Sequence, residues 1–313
     1  MVTLLYEIIA IVMPVFLVIG LGYGVKRSSL VDASFLFQLN TLVYYLALPL
    51  LLFYKIAEAD FSLSFNVWQV VGLATVTFVV FVVTYILAVL KNYEPEVRGT
   101  FSQCAFRGNL AYIGLAIVFN AYGEEGLASA GILLGFIVPV LNVFAIVALL
   151  LPHKKSRMSP LLLFRQVLFN PLIIASFLGI FWSYFDIPLP VVVDRALHIV
   201  TGMALPLALL SIGASFSLKK LRGDLKIASL ASFFKLVVTP LGAALLFMAL
   251  GVHGRDLAVG VLFAGTPTAT AAYIFSQQMK GDAELAGAII MLTTVASIFT
   301  YTLSLLILKS LGA

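Results

Sequence analysis

The chain has few charged residues and almost no cysteine. Of its 313 residues, 11% are charged and 62% are hydrophobic, whereas soluble globular domains are about 25% charged. This composition excludes a water-soluble protein and indicates an integral membrane protein. The single cysteine, Cys104, excludes an internal disulfide and a multi-cysteine metal or iron–sulfur site. We interpret it as an inert buried thiol.

Motifs of enzymes are also missing. The sequence contains no GxxxxGK[ST], HExxH or GxSxG pattern and no acidic pair at metal spacing within one apolar run. Membrane spans would use almost the whole length and leave no aqueous catalytic domain. We therefore expect no enzyme activity, no cofactor and no metal site. We attribute the net charge of +5 to the loops of a membrane protein and not to nucleic-acid binding.

Apolar runs predict an all-α protein with about ten transmembrane helices, each of about 20 residues. The first run has no basic segment before it and no cleavage pattern after it, so we interpret it as a retained helix and not a signal peptide. The predicted spans are residues 7–25, 33–54, 67–90, 98–120, 125–151, 166–184, 195–216, 226–250, 257–279 and 283–308.

The basic residues of the loops predict an orientation. An even number of spans places both termini on one side of the membrane. Thirteen lysines and arginines lie in the odd-numbered loops, and four lie on the other face: Lys55, Arg195, Arg255 and Lys309. Because cytoplasmic loops are enriched in these residues, both termini should be periplasmic in a bacterial inner membrane. The loop Lys154–Arg165 should then be cytoplasmic.

The two halves of the sequence resemble each other. Pro14 and Gly22 match Pro171 and Gly179 at a shift of 157 residues, and the run ALPL at 47–50 recurs at 204–207. One residue of insertion later, Gly123 matches Gly281 at a shift of 158. We therefore predict two repeats, residues 1–155 and 156–313. Each repeat holds five spans, an odd number, so the second copy must be inverted in the membrane, as in many secondary transporters.

Polar and small residues interrupt the fourth and ninth spans at matching places. At the shift of 158, Asn109 is opposite Pro267 and Gly108 is opposite Thr266. Broken helices line binding cavities in transporters, and their N-terminal ends favour anions. The predicted substrate-binding residues are Arg107, Gly108, Asn109, Asn142, Thr266, Pro267 and Thr268, with hinge or crossover positions at Pro49, Gly114, Pro206 and Gly265. Close helix packing and a plain proline kink are the alternatives.

Two basic residues lie inside predicted spans. Arg107 is beside the first interruption and Lys235 is within the eighth span, and no Asp or Glu lies in a span interior to pair with them. Their partners would be a substrate anion or carbonyls at a helix break, and snorkelling to the interface is the alternative. The absence of a carboxylate at mid-membrane also means that the sequence does not reveal proton or sodium coupling. Asn142 could equally join helices or contact a ligand.

Four motifs together resemble the auxin efflux carrier family in its bacterial form with short loops. They are NTLVYYLALPLLLF (40–53), FRGNLAYIGLAIVFNAYGEEG (106–126), ALPLALLSIGA (204–214) and GTPTATAAYIF (265–275). The resemblance implies ten spans in two inverted repeats, crossover of the fourth and ninth spans, and elevator-like transport of carboxylates. It also implies a scaffold of spans 1, 2, 6 and 7 and a mobile crossover domain of spans 3–5 and 8–10. Many bacterial members have proline where this chain has Ala116, so the break should depend on Gly108, Asn109 and Gly114.

We therefore predict a secondary carrier in the lipid bilayer of the inner membrane that moves small organic anions, such as auxin-like compounds or mono- and dicarboxylates. The alternative is a sodium-coupled symporter of the related bile-acid carrier type, which should have more polar sodium ligands. A homodimer through the scaffold is a further expectation from the family. The sequence does not identify the carboxylate, the coupling ion or the direction of transport.

Overall fold

The computed structural model describes residues 2–28, 30–153, 168–216 and 224–312. Within these ranges the chain forms helices and no strand, apart from one isolated bridge between Gly108 and Thr268. The described residues include three π-helical turns, π1 (Val43–Ala47), π2 (Leu110–Gly114) and π3 (Phe234–Val238). The α-helices are α1 (Val2–Arg27), α2 (Ala33–Leu42), α3 (Leu48–Ala57), α4 (Phe61–Ser64), α5 (Val67–Leu90), α6 (Pro95–Phe106), α7 (Leu115–Leu150), α8 (Pro171–Tyr184), α9 (Val191–Thr201), α10 (Ala204–Ser215), α11 (Leu225–Phe233), α12 (Thr239–Ala249), α13 (Gly254–Ala264), α14 (Ala271–Gln278) and α15 (Ala283–Ser310).

Much of the described chain has the length and hydropathy of membrane helices. Among the described residues, seven helical stretches are long and apolar enough to cross a bilayer. Large apolar side chains such as Phe37, Val192 and Phe299 are exposed on them. Contact of such side chains with lipid is favourable, whereas their exposure to water is unfavourable. The seven stretches are Thr3–Arg27, Ser34–Ala57, Val67–Leu90, Leu110–Leu150, Val191–Ser215, Leu225–Ala249 and Ala283–Ser310. The count of ten spans stays a prediction.

The long helix α7 contains a break. Gly123 has a φ of 62° and a ψ of −152°, so two helices meet at this residue. Glycine reaches this backbone conformation without a steric penalty because it has no Cβ. The break lies between the predicted fourth and fifth spans. The predicted cytoplasmic loop Lys154–Arg165 and the boundary between the repeats at 155 and 156 lie outside the described residues.

Two prolines follow π-helical turns. Pro49 is the second residue of α3, directly after π1, and Pro240 is the second residue of α12, directly after π3. A proline inside a helix has no N–H to donate and crowds the carbonyl four residues before it. The helix widens instead, and the residue before each proline bonds five residues back: the N–H of Leu48 to Val43 and the N–H of Thr239 to Phe234.

The chain divides into two compact units. The first comprises Met1–Asn66, Ala111–Phe136 and Gln166–Phe216, and the second comprises Val67–Leu110, Ile137–Arg165 and Ser217–Ala313. The predicted scaffold spans fall in the first unit and most of the predicted crossover spans fall in the second. Residues 111–136, at the end of the fourth span and the start of the fifth, cluster with the first unit.

Helices of the first unit approach each other at glycines. A Cβ on Gly22 of α1 would overlap the carbonyl of Leu210 in α10, and a Cβ on Gly213 of α10 would overlap the carbonyl of Ile19. Gly179 of α8 also lies close to α3, where its Cβ would be 2.9 Å from the Cβ of Ile56. Small residues permit this close packing in membrane proteins, where no hydrophobic effect drives helices together. Gly22 and Gly179, matched in the sequence repeat, therefore have the same packing role.

The second unit contains the interrupted segments and packs in the same way. Phe247 of α12 is fully buried, and its ring touches Gly72 of α5 and Gly260 of α13 at positions where a Cβ would lie within 2.6 Å. Cys104 is fully buried in α6 with a free thiol, as the sequence predicted.

Candidate functional site

The candidate site is the crossing of two extended peptides in the second unit. The first peptide follows α6, which ends at Phe106, and the second follows α13, which ends at Ala264. The N–H of Asn109 donates to the carbonyl of Pro267 at 2.8 Å, and the N–H of Ala269 donates to the carbonyl of Arg107 at 2.9 Å. These bonds form the short antiparallel bridge between the two breaks. Each broken helix thus satisfies part of the backbone of the other.

Threonine side chains complete the crossing. Thr268 is fully buried, and its hydroxyl donates to the carbonyl of Cys104 at 2.8 Å while its N–H donates to the hydroxyl of Thr293 at 3.1 Å. Thr266 is also fully buried, and its hydroxyl donates to the carbonyl of Phe263 at 2.8 Å. The last carbonyls of a helix have no partner within it. The threonines supply donors to these carbonyls at the ends of α6 and α13.

Replacement of Thr268 by valine tests this capping role. Valine keeps the shape of the side chain but leaves the buried carbonyl of Cys104 without the hydroxyl donor, which should cost about 1–3 kcal/mol. The control is Thr302→Val, because the hydroxyl of Thr302 donates only within its own helix, to Ile298 at 2.7 Å. Thermal melting of the purified proteins should show a clear loss for Thr268→Val and little change for Thr302→Val. Equal losses would contradict the assignment.

Arg107 makes one polar contact and one aromatic contact beside the crossing. Its side chain is buried, its Nη2 donates to Oδ1 of Asn142 in α7 at 2.8 Å, and its guanidinium lies 3.9 Å from the ring centre of Phe275 in α14. A guanidinium favours this arrangement because it is planar, can stack on a ring and donates hydrogen bonds at its edge. Arg107 therefore faces the interior of the second unit.

The structure brings most of the predicted site residues together. The residues that meet at the crossing or contact it, all buried in the second unit, are Arg107, Gly108, Asn109, Asn142, Gly265, Thr266, Pro267 and Thr268. Of the other predicted hinge positions, Pro49 follows π1, Gly114 ends π2 and Pro206 is the third residue of α10. These three belong to the first unit.

Several polar residues at the crossing were not predicted. Gln103 donates to the hydroxyl of Ser276 at 2.8 Å and to the carbonyl of Ala272 at 3.1 Å, and Thr100 lies 3.1 Å from Ser276. These bonds join α6 to α14 and are fully buried. A signal was present in the sequence, because the segment 99–104 is unusually polar for the interior of a membrane protein.

A charged cluster lies in the first unit, at the end of α3. Lys55 Nζ is 3.0 Å from a carboxylate oxygen of Glu124 and 3.9 Å from one of Glu58, and the hydroxyl of Tyr54 donates to Asp194 at 2.7 Å. Burial raises the pKa of Glu58, and the positive charge of Lys55 opposes this shift. From the sequence Lys55 was predicted only to be a loop residue, because its pairing with Glu124 depends on the fold.

Apolar membrane-length helices and two broken helices that pair at a buried crossing define a class, the multi-pass membrane transporters. Comparison with known proteins gives the family. The model of the family described as membrane transport protein matches residues 7–305, so the chain belongs to this family. The predicted resemblance to auxin efflux carriers is confirmed. The family consists of transport proteins and not of enzymes, in agreement with the sequence prediction.

Two relatives that match almost the whole chain and one that matches part of it are named as transporters or carriers. A protein of Rhizobium meliloti (strain 1021) named "Putative malonate transporter" is 27% identical over 316 residues, 97% of each chain. An "Uncharacterized transporter" of Methanothermobacter thermautotrophicus is 25% identical and covers 93% of this chain and 95% of its own. "Auxin efflux carrier component 6" of Arabidopsis thaliana is 24% identical over 140 residues, which are 43% of this chain and 25% of that protein. The chain is therefore a transporter with a small-molecule substrate and a membrane environment.

Proposed function

We propose that the protein is a secondary carrier of small organic anions, and that malonate is the first substrate to test. The observation that carries the proposal is the buried crossing with the guanidinium of Arg107 beside it, 2.8 Å from Asn142. A fixed positive charge in a site with little water attracts a carboxylate strongly. The name of the Rhizobium meliloti relative suggests a dicarboxylate of this kind.

Asn109 is the second candidate for substrate contact. Its backbone N–H bonds to Pro267, whereas no hydrogen bond joins its side-chain amide to another described residue. Asn109 as a whole is 5% exposed. A buried amide needs a hydrogen-bond partner, and a carboxylate oxygen of the substrate would accept from its NH2 group.

The proposal includes ten spans in two inverted five-helix repeats. Two observations support it. Asn109 and Pro267, which are opposite each other in the sequence repeat, are joined by a hydrogen bond, as residues related by a two-fold axis are when they lie near that axis. Gly22 and Gly179, also matched in the repeat, both lie at close helix contacts.

For the mechanism we propose elevator-like alternating access, in which the second unit carries the substrate and the first unit serves as the scaffold. The division of the chain into two units supports this assignment. The remaining parts of the proposal are a location in the bacterial inner membrane, periplasmic termini and a homodimer through the scaffold. The excess of basic residues in the odd-numbered loops supports the orientation.

Ligand-dependent melting of the purified protein tests the proposed function. Malonate should raise the melting temperature by about 5 °C at a hundred-fold excess over its Kd, because a ligand that binds only the folded state stabilises it. Glucose and glycine should have no effect. Asn109→Leu should abolish the shift without lowering the melting temperature of the ligand-free protein much, because its backbone bond remains.

The matched control is Asn120→Leu, which makes the same change at an exposed position in the first unit and should leave the malonate shift intact. Radiolabelled malonate uptake into proteoliposomes would then show transport. Stabilisation by neutral solutes alone would refute the anion carrier. Stabilisation by malonate only in sodium would favour the sodium-coupled symporter.

A further inference from the structure

Lys235 is a fully buried basic residue, and no carboxylate of the described residues forms an ion pair with it. It lies in π3, inside an apolar stretch long enough to cross a membrane, and its side chain is 1% exposed. The ion pairs of Lys55 with Glu58 and Glu124 lie at the end of α3 and do not include Lys235. Its Nζ donates to the carbonyl oxygen of Ala264 at 2.5 Å. A buried ammonium is costly unless something compensates its charge, so the contact with Ala264 must contribute to its stabilisation.

The carbonyl of Ala264 needs this donor. Ala264 is the last residue of α13, and in a continuing helix its carbonyl would accept from the N–H of Thr268. That N–H instead donates to the hydroxyl of Thr293 at 3.1 Å. Pro267 has no N–H at all. The break in the ninth span therefore deprives the carbonyl of Ala264 of its helical N–H donor. The ammonium of Lys235 donates to this carbonyl instead.

The end of α13 is also an electrostatic site for a cation. The aligned peptide dipoles of a helix give its C-terminal end a partial negative charge. A cavity with about 10 Å³ of space for water, roughly enough for one molecule, adjoins Lys235 and Ala264. Thr77 and Thr239 also line it. Carbonyl and hydroxyl oxygens at a broken helix are the groups with which carriers bind sodium.

We propose that the ammonium of Lys235 is a tethered cation that occupies the place of a coupling ion at the end of α13, so that the carrier works without bound sodium. The inference rests on the carrier function proposed above. A covalently attached ammonium supplies the positive charge that the carbonyl of Ala264 and the helix dipole favour, and it does not dissociate during the transport cycle. It also explains how an apolar span tolerates a lysine.

Removal of the tethered cation should create a site for a free one. Lys235→Ala opens space beside the carbonyl of Ala264 and the threonine hydroxyls. In choline chloride the full-length variant should melt about 5 °C or more below the wild type, because the helix end loses its cation. Sodium, lithium, ammonium or methylammonium chloride should restore part of this loss with a saturable concentration dependence. The wild type should melt at the same temperature in all of these salts.

The matched control is Lys226→Ala. Lys226 is an exposed lysine of α11, one element before π3, so its removal changes the net charge equally without opening a buried site. Its melting temperature should be close to that of the wild type and should not depend on the cation. A cation response in Lys226→Ala equal to that of Lys235→Ala would show a general salt effect and overturn the proposal.

Two other results would overturn it. If sodium stabilised the wild type relative to choline, the protein would bind a free coupling ion. If no small cation restored Lys235→Ala, the lysine would contribute packing only. If Lys235→Ala does not fold, the melting temperatures of the wild type in sodium and in choline test the proposal, and a higher value in sodium would overturn it. These melting experiments need no substrate, so their failure is distinct from a failure of malonate to bind, which would refute the proposed function.

Discussion

Gly108→Ala is expected to destabilise the protein by about 3 kcal/mol or more and to abolish transport. Gly108 forms the antiparallel bridge with Thr268, and a Cβ at this position would overlap the hydroxyl oxygen of Thr266. Thr266 cannot move away easily, because it is fully buried and its hydroxyl donates to the carbonyl of Phe263. The added methyl group would therefore push the two extended peptides apart. Thermal melting and malonate uptake measure the two effects.

A second substitution should reverse the damage. Thr266→Ala removes the hydroxyl that clashes, and it should cost little by itself, because the N–H of Thr266 also reaches the carbonyl of Phe263 at 3.2 Å. The double variant Gly108→Ala/Thr266→Ala should thus be more stable than Gly108→Ala alone. Such a non-additive result is the signature of two residues in direct contact. Additive losses would contradict the packing of Gly108 against Thr266.

Gly242→Ala is the matched control for this prediction. Gly242 lies in α12 of the same unit, and a Cβ there would be 3.7 Å from its nearest neighbour, a methyl group of Val76, which is an ordinary contact. Alanine in a helix is favoured over glycine by about 0.5–1 kcal/mol. The control should therefore melt at the wild-type temperature or slightly above it.

Arg107→Gln is expected to weaken malonate binding by about a hundred-fold, the size of the loss when one of two desolvated partner charges is removed. Arg107→Lys keeps the charge but cannot both stack on Phe275 and bond to Asn142 in the same way. It should lie between Arg107→Gln and the wild type. Isothermal titration with malonate measures the affinities. The exposed Arg195 gives the control variant Arg195→Gln, which should bind like the wild type.

Asn142→Asp separates the charge of Arg107 from its structural role. The new carboxylate would lie at the position of the Asn142 amide, 2.8 Å from the guanidinium, and a charged hydrogen bond is stronger than a neutral one. The variant should melt at or above the wild-type temperature but lose malonate binding, because the positive charge is already neutralised. Unchanged malonate affinity in both Arg107→Gln and Asn142→Asp would assign Arg107 to structure alone.

Part of the candidate site could be predicted because it depends on local composition. Polar and small residues in the middle of apolar runs marked the breaks at 107–109 and 265–270, and the internal repeat paired Asn109 with Pro267. The structure joins these two residues by a hydrogen bond. The contacts of Arg107 with Asn142 and Phe275 could not be predicted, because they form only when helices distant in sequence pack together.

The same distinction applies to the fold. Composition and hydropathy were enough to predict a helical membrane protein, because they report directly on the surrounding solvent. The transporter class depended on the internal repeat and on the four motifs that resemble auxin efflux carriers. Which helix ends need donors from other segments became clear from the packing of the helices. The hydroxyl of Thr293 accepts the hydrogen bond from the N–H of Thr268. The carbonyl of Ala264 therefore accepts from Lys235. The pairing of donors and acceptors at a helix end depends on which donor lies nearest in space. Hydropathy along the chain carries no information about this distance.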